Sequence, residues 1–386
     1  MKLDSITLDS LRLDSLRKTC VNREARFARG DEATTDSLPR RRRVSRWTIT
    51  HLGTLISTLS SRHRGMATWG ILLVLGLGNV LATPACAGAE APANARPPKN
   101  DEDLQQWLEN MVWYHRFTTD EIRGATGLER EAIEEALRRF NISQATRPAP
   151  KANEPLRVLP YPGGRHPRVG FLEGAIDPQR ETKVSVFTPW DSTSYVVVDV
   201  PEAIWSNLGL TYLAHTHIDT IWSAEKVALE PLEWTRLPDD SLTCRRVLPN
   251  KISFGARVRS GRDAVRMELW LKNQTPRTLS DLRVQNCVML KGAVGFEQET
   301  SKNKLVKKPF IAVRSGSGRR WIITAWLPCD RAWSNPPVPC MHSDPKFPDC
   351  KPGEIQRLRG WLSFYEGGDI DAELRRIQED PWLRGI

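Results

Sequence analysis

Between residues 264 and 272 apolar and polar side chains alternate. Val265, Met267, Leu269 and Leu271 point one way, and Arg266, Glu268, Trp270 and Lys272 the other. A period of two marks a strand with one buried face, as in antiparallel sheets. Short runs of similar character recur at 184–187, 194–200, 208–214, 227–235, 242–248, 251–259, 279–290, 309–314, 320–327 and 357–365. Turn residues separate them: Pro249-Asn250 lies at hairpin spacing, and Asn273-Gln274-Thr275-Pro276 makes the next turn. With one long helix, at 370–378, the pattern predicts a mainly β protein whose residues 150–386 form a large antiparallel β-sandwich.

Ahead of it, 101–145 has a helical period and predicts a small three-helix module. Leu104, Trp107, Leu108, Met111 and Val112 form one stripe, with Asp103 as the expected cap. Thr118 and Glu121 have capping-box spacing before a helix at 120–126, Gly127 makes the turn, and a helix at 129–140 turns Ile133, Leu137 and Phe140 inward. The segment FTTDEIRGATGLEREAIEEALRRF resembles the helix-turn-helix of bacterial regulators. Glu129, Glu131, Glu134 and Glu135 on the third helix would repel phosphate, so a structural or interaction bundle is expected and nucleic acid is not.

The longest apolar run lies at 66–83. Arg62 and Arg64 precede it, its uninterrupted core is short, and Ala85-Cys86-Ala87 follows. These are the parts of a secretory signal peptide over 66–87, cleaved after Ala87 or Ala89; an uncleaved anchor is the alternative. Residues 1–65 repeat Leu-Asp-Ser and carry a four-arginine run, and are read as a disordered or mis-assigned extension. Residues 88–100 form a Pro/Ala linker. The expected location is secreted or periplasmic, with no stable membrane insertion after cleavage.

Charge agrees with that reading. The 386 residues carry a net +10, but residues 1–65 hold 14 Lys/Arg against 7 Asp/Glu, and the rest 42 against 39. The folded part is nearly balanced, which excludes a broad phosphate-tracking surface. Fourteen tryptophans outnumber ten phenylalanines and five tyrosines. Most are expected to pack in the core, and some could stack on a sugar face.

The segment VRMELWLKNQTPRTLSDLRVQNCVMLK resembles the central strands of the galactose-mutarotase-like supersandwich superfamily, and CKPGEIQRLRGWLSFYEG its closing turn and last strand. YPGGRHPRVGFLEGAIDPQRETKVSVFTPW and HSDPKFPDC resemble a group of secreted proteins of planctomycete-type bacteria. The first resemblance implies a sugar ligand and a His/Glu acid–base pair.

Three constellations could carry chemistry. His215, His217 and Asp219 point the same way on an extended chain and suit proton transfer. Arg165, His166, Arg168, Glu173, Asp177, Arg180 and Glu181 crowd one loop-like stretch suited to polyols or carboxylates. Cys329 to Cys350 encloses Trp333, Cys340, His342, Asp344, Phe347 and Asp349. There a Cys340–Cys350 disulfide in an exported chain is favoured over zinc or free thiols, and Cys244 and Cys287 read as buried thiols. No G-x-S-x-G, H-E-x-x-H, P-loop or dinucleotide fingerprint occurs.

The expected catalytic set is therefore His215, His217, Glu173 and Arg180, and the binding set Arg165, Glu181, Trp190, Trp222, Trp270, His342 and Asp344. No metal and no cofactor is assigned. The expected function is an exported carbohydrate-directed protein with epimerase-, lyase- or hydrolase-type chemistry. A non-catalytic carbohydrate-binding or cell-surface module is the first alternative, and DNA binding through the helices the second.

Overall fold

The computed structural model describes residues 95–151, 153–166, 180–214, 218–336 and 338–385. All lie within one compact unit, Pro84–Ile386. Helix α1 (Asp101–Glu109) runs into a wide π-turn (Asn110–Tyr114), followed by α2 (Thr119–Thr126) and α3 (Arg130–Arg139). Its cap is Asn100, whose side chain accepts from the Asp103 amide, rather than Asp103 itself. The Thr118/Glu121 capping box and a left-handed Gly127 cap at φ 72° bound α2 as the spacing predicts. Leu108, Met111, Ile122, Ile133 and Ala136 form the core of these helices.

Seventeen strands follow among the described residues. The first five are β1 (Val158–Pro160), β2 (Lys183–Phe187), β3 (Tyr195–Asp199), β4 (Ala203–Ser206) and β5 (Gly209–Leu213). After a short helix, α4 (Ile221–Ala224), come β6 (Thr235–Arg236), β7 (Leu242–Val247), β8 (Ile252–Ser260) and β9 (Ala264–Asn273). Then come β10 (Val284–Gln285), β11 (Cys287–Met289), β12 (Lys304–Lys307) and β13 (Phe310–Arg314). The last are β14 (Arg320–Leu327), β15 (Cys329–Trp333), β16 (Cys340–Pro345) and β17 (Ile355–Glu366), before helices α5 (Ile370–Gln378) and α6 (Pro381–Arg384).

They form a six-stranded sheet (β1-β2-β3-β11-β16-β15), an eight-stranded sheet (β12-β13-β14-β17-β9-β8-β7-β6) and a three-stranded one (β10-β4-β5), all antiparallel. The fold is a mainly β antiparallel sandwich. Its core joins Val184, Val186, Val196, Val198, Val288 and Met341 of the six-stranded sheet to Phe254, Val258, Val265, Met267, Leu269, Leu271 and Leu358 of the eight-stranded one. The alternation read in β9 therefore points inward as expected. Ala264 and Trp361, on the other face of the eight-stranded sheet, cluster with Leu374, Ile377 and Leu383 of α5 and α6. Gly360 is needed where β17 pairs with β14 opposite Trp326, since a Cβ there would lie 2.5 Å from the Trp326 ring.

The structure departs from the strand pattern in several places, since β1, β4, β12 and β15 form outside the runs read from the sequence. Residues 228–234 are not a strand, and residues 340–345, expected in a bridged loop, are β16 at the heart of a sheet. Cys340 pairs opposite Met289, whereas Cys350 bridges to Leu279 and its thiol donates to the Glu354 carbonyl. The two sulfurs are not bonded to each other, which corrects the expected disulfide. The polar alternation Cys-Met-His-Ser-Asp looks like loop because both faces of this strand are buried, one of them by polar neighbours. No described helix is long and apolar enough to cross a membrane.

Candidate functional site

The six-stranded sheet has two different faces. Val184, Val186, Val196 and Val198 face the core, so alternation turns Lys183, Ser185, Phe187, Tyr195, Val197 and Asp199 the other way. Lys183 pairs with Asp199, the next step of the β3–β11 register sets Asp199 beside Cys287, Cys287 pairs with His342, and His342 with Trp333. One row of chemically active side chains thus crosses five strands. Lys183, Asp199 and Cys287 have no exposed surface, and His342 is 2% exposed.

Charge in that row is internally compensated. Lys183 Nζ lies 3.3 Å from Asp199 Oδ1 and donates to the Ala214 carbonyl. Such a pair is held against the cost of desolvation only by close mutual contact. His342 stacks on Trp333 with ring centroids 4.1 Å apart. Its Nδ1 donates to the Asn286 carbonyl at 3.0 Å, and Nε2 lies 3.3 Å from Cys340 Sγ. Asp344 accepts from Trp333 Nε1 at 2.6 Å, from Arg331 and from the Asn286 amide. Burial alone would lower the His342 pKa, but Cys287, Asp344 and Glu202 around it push it up to about 9. Burial raises that of Asp344. The sulfurs of Cys287 and Cys340 and a ring nitrogen of His342 lie within 4.8 Å of one another, as do ligand atoms of Asp199, Glu202 and Cys287.

Further along the same face a cavity of about 350 Å³ opens beside Tyr195 and Val197. His115, Arg165, His166, Thr193, Lys291 and Gly292 complete its lining, and none of these eight residues is a carboxylate. His115 caps the C-terminal end of the π-turn of the helical module. Its Nδ1 donates to the Asn110 carbonyl, so Nε2 accepts from the Ser185 hydroxyl at 2.7 Å. Burial holds its pKa down at about 3. Arg165 ion-pairs with Glu121 at 2.5 Å, donates to the Tyr195 hydroxyl at 3.0 Å and lies over Phe117. Burial raises the Tyr195 pKa. Lys291 is exposed at the rim.

The sequence-expected residues divide accordingly. His342 and Asp344 come together in the buried row, and Arg165 lines the cavity. Arg180, 4% exposed, lies 3.8 Å over the Trp107 ring and donates to the Pro162, Arg96 and Ala125 carbonyls, which clamps the helices to the sheets. Glu181 joins Arg96 and Arg246 at 2.5 and 2.7 Å. Trp190 stacks on Phe296, Trp222 donates to the Thr211 carbonyl in the core, and Trp270 lies against Gly255, so the three line no common cleft. Glu173, His215 and His217 lie outside the described residues. Lys183, Asp199, Glu202 and the partnership of Cys287 with Cys340 escaped sequence reasoning. The available signal was a charged residue at one end of each valine run, KVSVF and YVVVD.

No family model and no curated protein matches the chain. Among solved structures, a polysaccharide lyase is similar at 9% identity and TM-score 0.32, over 57% of this chain and 34% of that one. A heparan sulfate lyase HepC mutant from Pedobacter heparinus is similar at 10% and 0.31, over 69% and 46%. The Slr1438 protein from Synechocystis sp. PCC 6803 is similar at 9% and 0.29, over 55% and 91%. The chain thus spans about a third of the first and under half of the second. None of these likenesses fixes the equivalence of a single residue.

Proposed function

We propose that the protein is exported and carbohydrate-directed, and that it takes an acidic sugar chain, such as a uronate oligosaccharide, in the cavity beside Tyr195. The lining carries this reading: Arg165, Lys291, two histidines and the hydroxyls of Thr193 and Tyr195, with no carboxylate among them. Hydroxyls and imidazoles suit polyols, the exposed Lys291 suits a carboxylate, and about 350 Å³ is within the range of ligand pockets. The four exposed glutamates of 129–135 support a role without nucleic acid. Acid–base chemistry by His215 and His217 belongs to the same reading, and turnover that survives both His215→Ala and His217→Ala would remove them from it.

Calorimetric titration of the full chain with a uronate oligosaccharide and a neutral one of equal length tests the proposal. The acidic ligand should bind more tightly, and Lys291→Ala should weaken it by roughly fivefold, the effect of losing one exposed charge-assisted contact. Equal affinity for both ligands, or no binding by either, defeats it. Binding without turnover selects the non-catalytic module.

A further inference from the structure

The buried row holds more chemistry than a sugar site beside it requires. Cys287 and His342 are cross-strand partners, and Cys340 stands two residues before His342 on the same face of β16. Three strong ligands therefore converge from two adjacent strands, their donor atoms all within 4.8 Å. Bonds of about 2.3 Å to sulfur and 2.0 Å to nitrogen at tetrahedral angles set those atoms about 3.5 Å apart. Cys340 Sγ and His342 Nε2 are 3.3 Å apart.

The imidazole is also oriented for this use. Its Nδ1–H is engaged by the Asn286 carbonyl, and its ring is held flat on Trp333. Metal-bound histidines are fixed in this manner, with the second nitrogen donating to a backbone carbonyl or carboxylate so that the first presents its lone pair. A plain core histidine needs no pair of sulfurs at that lone pair.

We propose that Cys287, Cys340 and His342 hold a structural Zn²⁺ ion. Two thiolates with an imidazole and a tetrahedral edge favour zinc over magnesium or calcium, which take oxygen. The site is closed to solvent, so the ion enters as the sheet forms and its binding adds to folding stability. It ties β11 and β16 together. It also keeps two neighbouring thiols from oxidising in an exported protein.

The test is elemental analysis of the untagged full chain, produced with zinc in the medium and dialysed against metal-free buffer. One equivalent of zinc per chain is expected, together with the intense visible absorption of tetrahedral thiolate-bound Co²⁺ after exchange. Cys287→Ser, Cys340→Ser and His342→Gln should each lose the equivalent, and Cys350→Ser should keep it. If the variants fail to fold, the cobalt spectrum of the unaltered chain decides. Folded protein without zinc, cobalt bound only in octahedral oxygen coordination, or a Cys287–Cys340 disulfide found by peptide mass analysis would each overturn the proposal. Failure of sugar binding leaves it standing, because neither measurement involves the cavity.

Discussion

His115 should make the protein sensitive to mild acid. The imidazole is 2% exposed, donates from Nδ1 to the Asn110 carbonyl, accepts at Nε2 from Ser185, and is ringed by Phe117, Tyr161, Phe187 and Tyr195. A second proton would charge a buried ring near the Arg165 cation and displace the hydrogen bond from Ser185, and burial accordingly lowers its pKa from 6.5 to about 3. In the unfolded chain the same residue titrates normally. As pH falls below 6.5 the unfolded state takes up a proton that the folded state refuses. The stability this group protects is thus fully present above 6.5 and drains away toward pH 3, by about 1.4 kcal/mol per pH unit. Between pH 7 and pH 5 the loss comes to about 2 kcal/mol. Urea unfolding of the full chain at both pH values, set against His115→Gln, isolates this residue, because the carboxylates titrate alike in both proteins. The variant should be less stable at pH 7 and should lose about 2 kcal/mol less than the unaltered chain on going to pH 5. Equal losses would show that His115 takes up its proton in the folded state, and the account of its burial would be wrong.

Two further outcomes follow from the same physics. Lys183→Ala leaves Asp199 charged and buried without its 3.3 Å partner and should cost about 3–5 kcal/mol in denaturant unfolding; Lys183→Met with Asp199→Leu should recover most of that, and an equally unstable double variant would refute the argument. If the protein is exported as proposed, the N-terminus of protein isolated from its native host should fall between residues 86 and 92 by mass spectrometry, and an intact Met1 or Met66 would contradict cleavage.

Local rules settled much of this protein in advance. The period of two in β9, the capping box at Thr118 and the left-handed turn at Gly127 depend on neighbours a few residues apart, and each can be read from the chain as written. The buried row depends on register instead. Lys183, Asp199, Cys287, Trp333 and His342 are separated by up to 159 positions, and only the strand order β2-β3-β11-β16-β15 makes them adjacent. Nor could the sequence show that the second face of this sheet is buried. A polar residue alternating with valine is the signature of a solvent-facing position, and only the tertiary structure encloses these residues and pairs their charges. The same reason hid β16: a strand whose two faces are both buried, one by polar groups, has no hydrophobic period to reveal it. The loop read at 340–350 and its disulfide followed from spacing along the chain, whereas pairing in the sheet sets Cys340 beside Cys287 and leaves Cys350 at the Leu279 bridge.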